Sequence, residues 1–394
     1  RFAGVIDSQH IKITKSDDGR EPDIKVLTNG PALRADQNSG EEVSSVKIDA
    51  GTVDLHSRFG QAIYINSDST LSAAVFEVTG KNTNLKAVGS QATVNGEGNG
   101  LYAGSGVIAI VGRNMEGRPS KSYTKIADGA KVYVKANLST LPYSKDKSDS
   151  AFVHQVERGT FTITGKGTKL TCEAEKPVGN QTSVLRFRNF DNQFLHVSDG
   201  AKLEINRKEG KSSALRFSGW DNSFRIDSGG QVQIYNKGPG ILDTSDGGPN
   251  DGRQGIEFMP PDTEVMSGWK RSQDIYVDGD NSSLYVKSDS GPALQSYTSP
   301  FNIVVVKGGA ITMIGTTATQ DGSALQFHAR AELKIELDNP SYYEFTNQRP
   351  VPGEKGGGRW LSKLENPKMI GKNVPFQAWR RGWDLDNRPD RDYS

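Results

Sequence analysis

Ser183-Val-Leu-Arg-Phe-Arg-Asn-Phe-Asp-Asn-Gln-Phe194 returns 30 positions later as Ser213-Ala-Leu-Arg-Phe-Ser-Gly-Trp-Asp-Asn-Ser-Phe224. Leu185, Arg186, Phe187, Asp191, Asn192 and Phe194 recur as Leu215, Arg216, Phe217, Asp221, Asn222 and Phe224. The segment behind each copy also repeats, ending at Ile205 and then, 29 positions on, at Ile234. A fixed period of this size marks a repeat architecture, in which one unit cannot bury its apolar face alone and stacks on the next. Helical repeats of similar length need apolar residues at i, i+3 and i+4. This chain alternates apolar and polar residues instead.

The same grammar extends outward from the duplicated stretch. A glycine, one or two small or polar residues, and two apolar residues split by a polar one occur in Gly129-Ala-Lys-Val132-Tyr-Val134, Gly200-Ala-Lys-Leu203-Glu-Ile205 and Gly229-Gly-Gln-Val232-Gln-Ile234. Shorter versions are Gly51-Thr-Val53-Asp-Leu55, Gly159-Thr-Phe161-Thr-Ile163 and Gly309-Ala-Ile311-Thr-Met313. Each reads as a turn feeding a short, half-buried strand. Stacked in series, such units make an all-β solenoid, a parallel β-helix with about 20–30 residues per turn. A β-sandwich, whose short strands alternate in the same way, is the competing reading.

Composition suits a long, thin all-β body: 44 Gly and a hydrophobic fraction of 34% favour turns and a narrow core. At 394 residues the chain is long enough for two or three globular domains, but a solenoid grows in one dimension and can remain one unit. With 48 basic and 47 acidic residues the net charge is +1, so global electrostatics points to neither nucleic acid nor an anionic membrane. Cys172 is the single cysteine, which excludes a disulfide framework. It fills an apolar slot of Gly167-Thr-Lys-Leu170-Thr-Cys172, as a small buried hydrophobe would. No run of 18 apolar residues exists, and the chain opens on Arg1 without initiator Met or signal peptide; a monomeric module of a larger precursor is expected.

The rhythm divides the chain into a β-helix over 1–338 and a C-terminal capping segment over 339–394. Within the helix, rungs 1–136 read as irregular, 137–235 as regular, 236–268 as one long insertion rich in Gly, Pro and Asp, and 269–338 as regular again. Trp360, Trp379 and Trp383 are expected to cover the open end.

The tail runs Leu337-Asp-Asn-Pro-Ser-Tyr-Tyr-Glu-Phe-Thr-Asn-Gln-Arg349, then Gly356-Gly-Gly, Val374-Pro-Phe-Gln-Ala-Trp379 and Gly382-Trp-Asp-Leu-Asp-Asn-Arg388. It resembles the C-terminal end of the pectate-lyase-like adhesive domain of Gram-positive cell-surface proteins. Gly98-Asn-Gly-Leu-Tyr-Ala-Gly-Ser-Gly-Val107 and the rungs after it are similar to the same family. The resemblance implies a right-handed parallel β-helix displayed outside the cell, at the surface or cell wall, with an adhesive role towards polysaccharide, host glycan or matrix protein. That family offers no fixed set of binding residues to carry over.

β-Helices also house polysaccharide lyases and hydrolases, so fold alone does not decide function. Lyase chemistry needs calcium-binding carboxylates and a base on one sheet; hydrolysis needs paired carboxylates. The Asn-Thr-Asp, Asp-Asp and Gly-His-Gly set of pectin hydrolases and the Trp-Ile-Asp-His type of run of the lyases are both missing. His10, His56, His154, His196 and His328 are scattered, and there is no Gly-x-Ser-x-Gly, His-Glu-x-x-His or Walker-type loop. A non-catalytic protein with no cofactor is expected. Asp243-Thr-Ser-Asp246-Gly-Gly-Pro-Asn-Asp251 and Asp278-Gly-Asp280-Asn281 could offer calcium hard oxygens, but both read first as turns.

If Leu185 and Phe187 point inward, alternation turns Arg186 and Arg188 outward, with Arg216 one strand spacing away, about 4.8 Å. Stacked like charges persist if acids such as Asp191 and Asp221 pair them, or if the face binds an anionic glycan. Trp220 and Trp269 lie beside polar turns, where an exposed indole could stack on a sugar. Elsewhere the outward slots, such as Lys131, Tyr133, Thr162, Thr171, Lys202, Gln233 and Thr312, hold one carboxylate, Glu204. Three readings follow: an adhesin that binds carbohydrate through its lateral face, an acidic-polysaccharide lyase or hydrolase, and a passive surface stalk.

Overall fold

The computed structural model describes residues 6–7, 9–37, 43–67, 73–90, 106–112, 121–138, 148–177, 182–188, 192–210, 212–219, 221–237, 256–259, 273–289, 291–296, 301–316, 324–327, 333–347, 361–362 and 368–372. Across them, each turn of chain gives one strand to each of three sheets. The first sheet runs from Ile6–Asp7 to Leu361–Ser362, the second from His10–Ile13 to Lys368–Lys372, and the third from Asp23–Thr28 to Tyr342–Asn347. The sheets hold 11, 11 and 10 strands, every neighbour is parallel, and strand order within each sheet follows chain order. This is a right-handed parallel β-helix, the hand that parallel crossovers take. Among the described residues no helix is long and apolar enough to cross a membrane.

Three expectations about organisation change. Strands within 1–136 pair in unbroken register, as in Val132↔Leu85 and Ile126↔Val78, so irregularity there lies in the connections and not in the rungs. The stretch 236–268 is not one insertion: Ile256–Met259 lies inside it and bridges Leu215–Ser218 to Leu294–Ser296. The third sheet also runs past residue 338, because Tyr342–Asn347 pairs with Ala310–Gly315. Leu361–Ser362 and Lys368–Lys372 extend the first and second sheets past it in the same way, and Trp360, Trp379 and Trp383 lie outside the described residues.

Alternation builds the core. On each strand the apolar slots face the interior, and like sits over like from rung to rung: Leu170 over Leu203, Ile205 over Ile234, Leu185 over Leu215. Aromatic rings form a continuous column. Phe76 meets Phe152 at 5.9 Å between centroids, Phe152 meets Phe161 at 5.0 Å, Phe161 meets Phe187 at 5.8 Å, and Phe187 meets Phe217 at 4.5 Å. Each ring so buried contributes about 1.5–3 kcal/mol by leaving water. Cys172 is wholly buried in this core, and burial pushes its thiol pKa up, so it is an inert packing residue. His154 stands in the ring column, 5.4 Å from both Phe161 and Phe187, and burial lowers its pKa to about 3.

The corners differ in kind. From Ile48 onward, described connections between second-sheet and third-sheet strands are short: Ala127 to Lys131, Ser198 to Lys202 and Asp227 to Gln231 leave three residues each, and Thr164 to Lys169 leaves four. The glycine of the repeating motif sits here in the left-handed region, at φ +72° for Gly200, which a side chain would strain. Gly51 is needed for a second reason, since a Cβ there would lie 2.1 Å from the Pro22 carbonyl oxygen. Hydroxyls tie successive turns: Thr168 Oγ1 donates to the Thr164 carbonyl (2.8 Å) and accepts from Gly129 N–H (2.8 Å), and Ser282 Oγ accepts from Gly229 N–H (3.0 Å). At the corner between first and second sheets an amide ladder does this work. Gln193 N–H donates to Asn222 Oδ1 and Asn222 N–H to Gln273 Oε1, both at 2.9 Å.

Candidate functional site

The first sheet carries the expected basic face. Arg186 pairs directly with Arg216 across the ladder, and Leu185 and Phe187 do point inward, so the alternation holds. The face is nevertheless not solvent-exposed: Arg186 is 0% accessible and Arg216 3%, while Arg188 is half-buried. Tyr64, Asn66, Val153 and Gln295 on the same side are buried too. Alternation tells inside from outside of a sheet, but not whether that outside meets water. Connections into this sheet are long, with 17 residues between Ser90 and Ile108 and 14 between Asn137 and Phe152.

A carboxylate that the repeat did not point to, Asp149, lies near Arg186 and Arg188. Asp149 is 4% accessible and accepts a hydrogen bond from Ser150 N–H (2.9 Å). Burial pushes its pKa up to about 7, against the pull of that hydrogen bond and of the Arg186 and Arg188 guanidinium groups. Asp149 lies three positions before Phe152, whose strand pairs with Leu185; only that register brings it to the arginines. Arg186 and Arg216, expected to face solvent, are thus covered, with the buried carboxyl of Asp149 near Arg186.

Trp220, Trp269, His328, Asp191 and the acidic loop Asp243–Asp251 lie outside the described residues. The second acidic loop is a corner turn: Gly279 and Asn281 have φ of +89° and +64°, and Asp278 lies 3.9 Å from both Arg225 and Lys307. On the third sheet, outward carboxylates are more numerous than the one expected. Glu204 meets Lys169 at 2.6 Å, Glu173 meets Lys208 at 2.7 Å, and Asp54 meets His56 at 2.8 Å.

An accessible groove lies on the second sheet. It has a volume of about 330 Å³ and is lined by Phe194, Ser223, Arg225, Asp274, Tyr276, Asn302, Val304 and Lys334. Two outward columns form it. Phe194, Ser223, Asp274, Asn302 and Lys334 succeed one another along one column; Arg225, Tyr276 and Val304 succeed one another along the next.

The charged rim is locked by internal pairs. Arg225 Nε donates to Asp227 Oδ2 at 2.6 Å, and the guanidinium lies 4.9 Å from the Tyr276 ring centre. His196 Nε2 lies 3.0 Å from the other Asp227 oxygen. Partial burial pushes the Asp227 carboxyl up, but hydrogen bonds from His196 and Arg225 outweigh it and hold the pKa below the usual carboxylate range. Lys334 Nζ reaches Glu336 at 2.7 Å. By contrast, the side chains of Ser223, Asp274 and Asn302, on three successive rungs, make no hydrogen bond or ion pair among the described residues.

The sequence did not single out this groove because Ser223 and Asp274, direct neighbours, are 51 positions apart. That step breaks the 30-residue period. The available signal was the outward aromatic pair, Phe194 and Tyr276, in mostly polar slots. No family model, curated protein or solved structure matches the chain.

Proposed function

We propose that this chain is a non-catalytic binding module that holds a polysaccharide against the lateral face of its β-helix. Its place would be the outer surface of a Gram-positive cell, as the resemblance of the tail implies. The observation that carries the reading is the contrast within the groove: a rim of satisfied ion pairs surrounds Ser223, Asp274 and Asn302, whose side chains have no partner among the described residues. Donors and acceptors presented in a row beside an aromatic ring suit a hydroxylated ring polymer, whose edges hydrogen-bond and whose faces stack. Asp54, Glu173 and Glu204 on the third sheet each lie beside a cation, which supports binding over acid–base work there.

The test is retention of the protein on a panel of immobilised polysaccharides, run beside an assay for unsaturated or reducing-end product. Retention without product is expected. Product would move the reading to a lyase or hydrolase, and silence in both assays to a passive stalk.

A further inference from the structure

Resting on the binding reading above, we infer that the groove on the second sheet takes an uncharged, hydroxyl-rich glycan and not an acidic one, the chain lying along the helix axis across successive rungs. Charge decides the first part. Both cations in the lining are already engaged, Arg225 by Asp227 at 2.6 Å and Lys334 by Glu336 at 2.7 Å. Among the described residues, the charged lining group without a partner is a carboxylate, Asp274. A uronate or sulfate in this groove would meet Asp274 without a free cation to offset it, and like charges at contact distance are mutually destabilising. An uncharged sugar meets no such penalty, and a carboxylate is the strongest acceptor for a pair of neighbouring hydroxyls.

The remaining lining agrees. Ser223 offers a hydroxyl and Asn302 an amide on the rungs either side of Asp274, so one row supplies an acceptor flanked by groups that both donate and accept. Tyr276 lies directly beside Asp274 in sequence order of outward slots, with its ring steadied by Arg225 at 4.9 Å. Val304 continues that apolar strip on the next rung. A strip of ring and methyl groups parallel to a row of polar groups is an amphipathic track, and a pyranose is amphipathic in the same sense. Phe194 to Lys334 crosses four strand spacings, about 19 Å, the length of a short oligosaccharide segment.

The experiment compares the full chain with Tyr276→Ala, Asp274→Ala, Asn302→Ala and, as a control outside the groove, Gln233→Ala. Binding to neutral glucans, mannans and galactans and to polygalacturonate is measured by affinity electrophoresis. Far-UV circular dichroism and thermal unfolding check that each variant keeps the fold, as outward strand positions should. The expected result is binding of a neutral glycan that changes little from low salt to about 0.5 M, because no ionic contact is made. Tyr276→Ala and Asp274→Ala should each weaken it about tenfold or more, and Gln233→Ala should leave it unchanged.

Retention only on polygalacturonate, lost with Tyr276→Ala or strengthened by Asp274→Ala, would overturn the uncharged-ligand inference and leave the lateral-face reading standing. Neutral-glycan binding that none of the groove variants alters would overturn the siting in this groove. Failure to bind any glycan would overturn the binding reading itself.

Discussion

Phe187 and Phe217 lie face to face one rung apart, their centroids 4.5 Å from each other and their planes 12° from parallel. Truncating either ring to Ala leaves a cavity the size of a phenyl group in a column with no slack, at a cost of about 3–5 kcal/mol. The double variant should lose less than the sum by about 0.5–1.5 kcal/mol, the contact energy of the pair. Denaturant unfolding of the two single variants and the double measures this. Strict additivity would mean that the rings do not support one another.

His154 and Asp149 pull stability in opposite directions with pH. His154 has a folded pKa of about 3, below the ordinary 6.5, so its contribution is complete above pH 6.5 and is lost as pH falls towards 3. Asp149 has a folded pKa of about 7 against 3.8, so its contribution is complete below pH 3.8 and is lost as pH rises to 7. Between those ordinary values the folded chain holds one proton on Asp149 and the unfolded chain holds one on His154, and the two slopes cancel. Asp149→Asn should therefore give a protein whose stability, relative to the parent, rises by about 1.4 kcal/mol per pH unit from pH 4 to 6.5. His154→Phe should show the opposite sign. Parallel curves for parent and variants would mean that neither group titrates as its burial requires.

Arg186→Met removes a cation from the covered face while leaving Asp149 in place. With Arg188 and the Ser150 N–H left to offset burial, the Asp149 pKa should climb above about 7, so the variant should lose about 1.4 kcal/mol relative to the parent for each pH unit above neutral, where the parent's Asp149 ionises and the variant's does not. Adding Asp149→Asn to Arg186→Met should remove that loss. A double variant no more stable than Arg186→Met would show that the arginine is held by packing and not by charge.

Gly200→Ala and Gly51→Ala separate two uses of glycine. At Gly200 the nearest atom to a new Cβ is 3.8 Å away, so only the φ of +72° is penalised, about 1–2 kcal/mol. At Gly51 the same change must also displace the Pro22 carbonyl, which accepts the Thr52 N–H at 2.8 Å. Gly51→Ala should lower the thermal midpoint more than Gly200→Ala and expose the amides of Thr52–Ser57 to hydrogen exchange. Equal midpoints would argue against the close approach.

Most of the fold was legible because the inward slots repeat their chemistry. Leu185 and Leu215, or Ile205 and Ile234, are both alike in sequence and adjacent in space. Strand direction and rung period follow from that alone. Exposure was not legible: Arg186 obeys the alternation and is buried all the same, because what covers a sheet face is not encoded in the strand that forms it. The groove was hidden for a different reason. Its residues are drawn one or two per rung from 194 to 334, and their adjacency depends on how much chain each turn consumes, which varies from 28 residues between Asp274 and Asn302 to 51 between Ser223 and Asp274.

The three- and four-residue corners beside the second sheet have a metrical consequence. With no spare chain at that edge, and with Thr168 and Ser282 fastening one turn to the next, neighbouring rungs cannot slide or spread independently. The outward side chains of the second sheet are therefore graduations on a ruler of fixed pitch, about 4.8 Å. A polymer laid along it is gripped at many points only if its own repeat is commensurate with that pitch; one that falls out of phase touches a single graduation and slips.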